Sequence, residues 1–232
     1  MNLRKSALIA GIFYFIAIWV TPYSWINPHI MIGDEVATFN AILSNEFLFR
    51  LAIACWLIVI VADTVVGWAL YHFFYGTDRA LSSLALAFRI VFAPIMAYAV
   101  FQWVCALQLI NGSGHLAGEM LQAAQVESMF YFVRYEYAVN IAFMIFGLHV
   151  GLVGYLAYKS KIVPPLLGVL LMIAGVGYQI DCYVSFLSSA YANHPYGFLI
   201  TIAIPGFFSE FMLCLWLLIK GRKLKEVDNG SK

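Results

Sequence analysis

FGLHVGLVGY occupies residues 146–155, and nine of its ten residues suit hydrocarbon; the tenth is His149. The run lies inside a longer apolar stretch, 126–158. Similar stretches recur at 6–23, 47–75, 80–110, 163–190 and 197–220. About 20 helical residues cross the roughly 30 Å of a bilayer's hydrocarbon core. These lengths predict an all-α polytopic membrane protein, a bundle of six transmembrane helices.

Composition points the same way. The 232 residues are 63% hydrophobic and 11% charged, with mean hydropathy +0.87. Soluble domains are about 45–50% apolar and about 25% charged. A formal net charge of +1 gives no reason to expect a nucleic-acid partner. The partner implied is the lipid bilayer. Cys55, Cys105, Cys182 and Cys214 fall in apolar runs without metal-ligand spacing, so they read as small buried side chains. Arg4 and Lys5 precede an apolar run at 7–20, but no small-x-small cleavage pattern follows. That run reads as a retained first span.

Charge sets the expected orientation. Ten of the thirteen Lys and Arg lie at the N-terminus, in the turns at Arg79 and at Lys159 and Lys161, or in the C-terminal tail. With six spans, all ten fall on one side. The opposite loops, 24–46, 111–125 and 191–196, contain none. The positive-inside rule then places both termini in the cytoplasm of a plasma or inner membrane. In loop 24–46, Asp34 is suited to cap a helix with Glu35 in its first turn, and Phe39, Ile42 and Leu43 follow at helical spacing. This predicts a short helix lying on the outer surface after span 1. Asn111-Gly112-Ser113-Gly114 reads as a turn. The whole, 1–225, reads as one domain with a flexible tail at 226–232.

Ionisable residues inside spans are costly and are functional candidates by default. Asp63, Arg89, His149 and Glu210 lie about 14–18 Å from the cytoplasmic ends of their spans, at 1.5 Å per residue. Arg50, Arg134, Glu136 and Asp181 lie nearer the outer ends, and Asn140 and Gln179 add polar groups. Each set holds both signs, so pairing across helices is expected. The expected pairs are Asp63 with Arg89, His149 with Glu210, and Asp181 with Arg50 or Arg134. Arg50 also reads as an interfacial side chain, and span 4 is long enough for Arg134 and Glu136 to reach the headgroups. Gly147, Gly151 and Gly154 give span 4 a small-residue surface for close packing.

Specific chemistry is thinly signalled. Zinc needs three or four close ligands, and only His72 and His149 lie in or beside spans. No His-x-x-Glu-His pair, Gly-x-Ser-x-Gly elbow or phosphate loop occurs. No cofactor or metal is expected, and enzyme activity is left open with the balance against it. The leading expectation is binding or transport of a small or lipid-like ligand, or proton relay, through an outward-facing polar cavity lined by Asp63, Asp181, His149 and Glu210. One alternative is a structural or partner-binding protein whose charges clasp helices. The other is a membrane enzyme with His149 as base, oriented by a carboxylate. The sequence is silent on oligomeric state.

The chain also resembles a bacterial integral-membrane family defined as domain of unknown function 4386. The likeness runs through Phe49-Arg50, Ala62-Asp63, Ala69-Leu70-Tyr71 and Phe88-Arg89. It continues in FGLH at 146–149 with Gly154-Tyr155, LGVLLMIAGVGYQID at 167–181, Glu210, and LWLLIKG at 215–221. Ser160-Lys161 and Pro164-Pro165 stand where the family suggests Ser-Gly and Pro-Arg, and Arg134 and Glu136 match no motif. The resemblance implies six spans and brings no activity. The motifs coincide with Arg50, Asp63, Arg89, His149, Asp181 and Glu210.

Overall fold

Apolar side chains along the long helices leave no soluble way to fold, and the surface shows it. Phe47 is 75% exposed and Val61 62%. The computed structural model describes residues 1–25, 30, 33–188 and 204–224. Within these, the chain forms α1 (Leu3–Trp25), α2 (Glu35–Ser44), α3 (Glu46–Phe74), α4 (Arg79–Gly112), α5 (Glu119–Ser160), α6 (Pro165–Leu187) and α7 (Ile204–Ile219), then a 3₁₀ turn (Gly221–Lys223). No strand occurs among the described residues. Five helices, α1, α3, α4, α5 and α6, are long and apolar enough to cross a membrane. This is a multi-pass membrane protein. α7 is equally apolar but has 16 residues, about 24 Å of helix. The start of the expected sixth span, 197–203, lies outside the described residues, as does the tail at 226–232.

Local chemistry explains the helix ends. Asp34 caps α2, its Oδ1 accepting from Ala37 N at 2.9 Å. Asp78 does the same for α4, accepting from Leu81 N at 3.1 Å. α5 begins earlier than its apolar run. Gly118, at φ 57°, turns the chain, and Glu119 opens 42 residues of helix. Residues 119–125 therefore extend the helix where a loop was expected, because Met120, Leu121, Gln122, Ala123 and Ala124 favour helix without being apolar throughout. At the other end Lys161 takes φ 56°, the left-handed region that glycine enters without strain. Lys161, which stands where the resemblance suggests Gly, is the one described non-glycine residue in this left-handed region.

The chain divides into two compact units, and α1, α3, α4 and α5 each contribute to both. The first comprises Met1–Ile18, Ala62–Phe92 and the chain from Phe143 onward; the second comprises Trp19–Val61 and Ala93–Ala142. In the first unit, small residues let backbones approach. A Cβ on Gly154 of α5 would meet Gly168 O of α6 at 2.8 Å, and one on Gly175 would meet Gly151 Cα at 2.8 Å. α1 and α7 pack in the same manner: a Cβ on Gly11 would meet Leu218 at 2.8 Å. In the second unit the core is aromatic. Phe49 packs on Trp103 (5.4 Å between centroids) and edge-on to Phe132 (6.1 Å), and Trp103 stacks on Tyr135 at 4.4 Å.

Candidate functional site

Arg89, on α4, is the largest fully buried side chain of the described residues, at 0% exposure. Its Nη2 donates to Asp63 Oδ1 at 2.6 Å, and its Nε donates to the Asp63 backbone carbonyl at 3.1 Å. Two donors on one partner fix the plane of the guanidinium. Gly67 makes the approach possible, since a Cβ there would stand 2.7 Å from Arg89 Cγ. The guanidinium lies over the Phe146 ring, 4.4 Å from its centroid, with Tyr14 at 5.9 Å. Such cation–π contacts replace part of the lost hydration. The expected pair of Asp63 with Arg89 is therefore present, and it joins α3 to α4.

A second carboxyl belongs to the set. Glu210, on α7, is half-buried and feels the charges of both Arg89 and Asp63. The buried Tyr14 and Tyr178 hydroxyls lie in the same field. Tyr178 reaches α7 at Gly206, where an added Cβ would stand 2.9 Å from its hydroxyl. Arg89 Nη1 has no hydrogen-bond partner among the described residues. Arg89 thus pairs with Asp63, keeps a donor in hand, and acts on the Glu210 carboxyl through its charge.

His149 departs from expectation. Its Nδ1 lies 2.8 Å from the backbone carbonyl of Ala85, and its Nε2 has no partner among the described residues. A carbonyl only accepts, so Nδ1 carries the hydrogen and Nε2 presents a lone pair. The expected bond to Glu210 gives way to this carbonyl because the small Ala85 side chain lets the ring reach the α4 backbone. The ring is 1% exposed, and among the described residues its one hydrogen-bond partner is this carbonyl rather than an orienting carboxylate.

The remaining candidates scatter. Arg50 pairs with Glu46 one turn away on α3, at 2.6 Å, a partner that the sequence reading did not consider. Arg134 and Glu136 are exposed on α5, and the Arg134 guanidinium lies over Tyr131 at 5.4 Å. Asp181 is buried on α6. Gln179 Nε2 donates to Met144 O at 2.8 Å, tying α6 to α5. Asn140 belongs to the second unit. Among the described residues no three His, Cys, Asp or Glu side chains gather to hold a metal. Tyr14, Phe146 and Gly67 complete the Arg89 site and were not singled out from sequence as part of it. Phe146 stood in the FGLH motif with no role attached to it, and in spans this rich in aromatics and glycines nothing marks Tyr14 or Gly67.

Fold and site together define a helical multi-pass membrane protein with a buried carboxyl–guanidinium centre. The chain belongs to the family described as domain of unknown function (DUF4386), whose model matches residues 9–221. It is 31% identical over 170 residues to an uncharacterized protein of Archaeoglobus fulgidus, covering 73% of this chain and 83% of that one. No solved structure matches.

Proposed function

We propose that the protein handles protons within the membrane, as a relay or as the proton-coupled carrier of a small or lipid-like ligand. Asp63, Arg89 and Glu210 form its working centre. The observation that carries this reading is the buried Arg89–Asp63 pair, whose Nη1 has no partner among the described residues, with the Glu210 carboxyl of α7 in the field of both charges. With both ionised the set holds an excess negative charge, which a low-dielectric interior penalises. One proton on the carboxyl pair balances it. Asp63 is held at two points by Arg89, so Glu210, half-buried and on the shorter α7, is the group that exchanges. The protein crosses the plasma or inner membrane six times, with α7 in the sixth crossing. Both termini are cytoplasmic, a placement supported by the Lys and Arg distribution.

The test is infrared difference spectroscopy of reconstituted protein during a pH step. A protonated-carboxyl band that disappears in Glu210→Gln and persists in Glu46→Gln is expected. A band unaltered by both Glu210→Gln and Asp63→Asn would sink the reading. The two-point hold of Arg89 on Asp63 favours one other reading, a structural clasp between α3 and α4, and that reading predicts no such band.

A further inference from the structure

The first unit carries charge that the carboxyl–guanidinium set does not use, at the end where α1 starts and α7 stops. A Cβ on Gly221, just past α7, would stand 2.7 Å from Ala7 Cβ on α1. Arg4 stands one turn before Ala7 with Lys5 beside it, Lys220 and Lys223 flank Gly221, and all four side chains are exposed. The 3₁₀ turn fixes the last two, Lys223 N donating to Lys220 O at 3.0 Å, and its three-residue period sets them on one side. None of the four has an ion-pair partner among the described residues. The other cationic turns of this unit differ. Lys159 is taken by Asp78, and the Arg79 guanidinium lies over Tyr75 at 5.3 Å. Cations gathered without an acid repel one another, and an anion between them removes that cost.

The occupant's chemistry follows from what lies below Arg4. Leu8, Ile12 and Phe15 continue its face of α1 at helical spacing and are exposed. Ile219, also exposed, precedes Lys220 on α7. In a helix that crosses a bilayer such a stripe meets acyl chains, while Lys and Arg at the helix end reach the headgroups. A free phosphate would use the cations and leave the stripe idle, whereas a phospholipid uses both. A zwitterionic lipid brings a cation of its own into the cluster, so the charge favours an acidic one. We infer that the α1–α7 end binds an acidic phospholipid, its phosphate held by Arg4, Lys220 and Lys223 and its acyl chain lying along Leu8 and Ile12. The bound lipid ties the start of α1 to the end of α7.

The test is the melting temperature of the full chain in neutral detergent micelles, titrated with phosphatidylglycerol, phosphatidylcholine or glycerol phosphate. Phosphatidylglycerol should raise it saturably, as a ligand of the folded state does, and the other two should not. Arg4→Gln should raise the half-saturating lipid concentration about fivefold, the effect of one juxtamembrane cation, and Lys223→Gln should do the same from the other side of the contact. Arg79→Gln, at the α3–α4 turn, should leave it unchanged. No saturable rise, an equal rise with phosphatidylcholine or glycerol phosphate, or a loss in Arg79→Gln as large as in Arg4→Gln would each overturn the site. None of these outcomes bears on Glu210, so the two proposals fail separately.

Discussion

The pairs Arg89–Asp63 and Arg50–Glu46 share an N–O distance of 2.6 Å, yet their side chains are 0% and 10% exposed in the first and 54% and 37% in the second. The second is an i,i+4 pair on one helix, with Asn111 Nδ2 also donating to Glu46 at 2.9 Å. The first joins two helices, in a setting that strips both charges of solvent. Coulomb attraction at one distance varies many-fold with the surrounding dielectric, and so does the cost of losing one partner. Surroundings, more than contact distance, decide which charge pair can organise the fold or carry function.

The sharpest way to break this contrast is Arg89→Leu. It leaves Asp63 buried without its partner and should cost about 3–5 kcal/mol, read from reversible unfolding in mixed micelles. Adding Asp63→Asn should recover much of that loss. A double variant as unstable as Arg89→Leu would show that the two residues are not coupled. Gly67→Ala comes next, at about 1–3 kcal/mol of overpacking, because the new methyl meets the Arg89 stem while Asp63 holds the other end of that side chain. Unchanged stability there would mean that α3 and α4 can part locally. Glu46→Gln should leave the same unfolding curve unmoved, as expected of an exposed pair; a clear loss would erase the contrast.

The smallest effect concerns the α3–α4 turn. Asp78 accepts from Lys159 Nζ at 2.8 Å, and this bond, first among several, holds its carboxyl below the ordinary value of 3.8. A lowered carboxyl contributes stability above 3.8, and that contribution is lost as pH falls through the lower folded value. Asp78→Asn should therefore flatten stability against pH on the acid side only, measured by thermal melts. A change confined to alkaline pH would contradict the assignment.

Much of this was legible in the chain itself. Apolar run lengths marked five spans to within a few residues at most ends, since hydrophobic length is a one-dimensional quantity. Asp34 announced its cap, and opposite charges at similar depth in adjacent spans announced Asp63 with Arg89. The N-terminal extension of α5 was missed because helix-forming residues of moderate polarity do not register as a span. Depth arguments look across helices, so they offered Arg50 or Arg134 to Asp181 and overlooked Glu46, one turn from Arg50 on the same helix.

Sequence alone determined the membrane class, the helical architecture and which ionisable residues would have to find partners, because burying a charge in hydrocarbon allows few alternatives. Tertiary structure decided the partners. The Ala85 carbonyl that holds His149 is a backbone group, present at every residue and exposed only where packing leaves a gap. The cage of Tyr14, Phe146 and Gly67 around Arg89 depends on side-chain directions from separate helices, which no periodicity along one helix encodes.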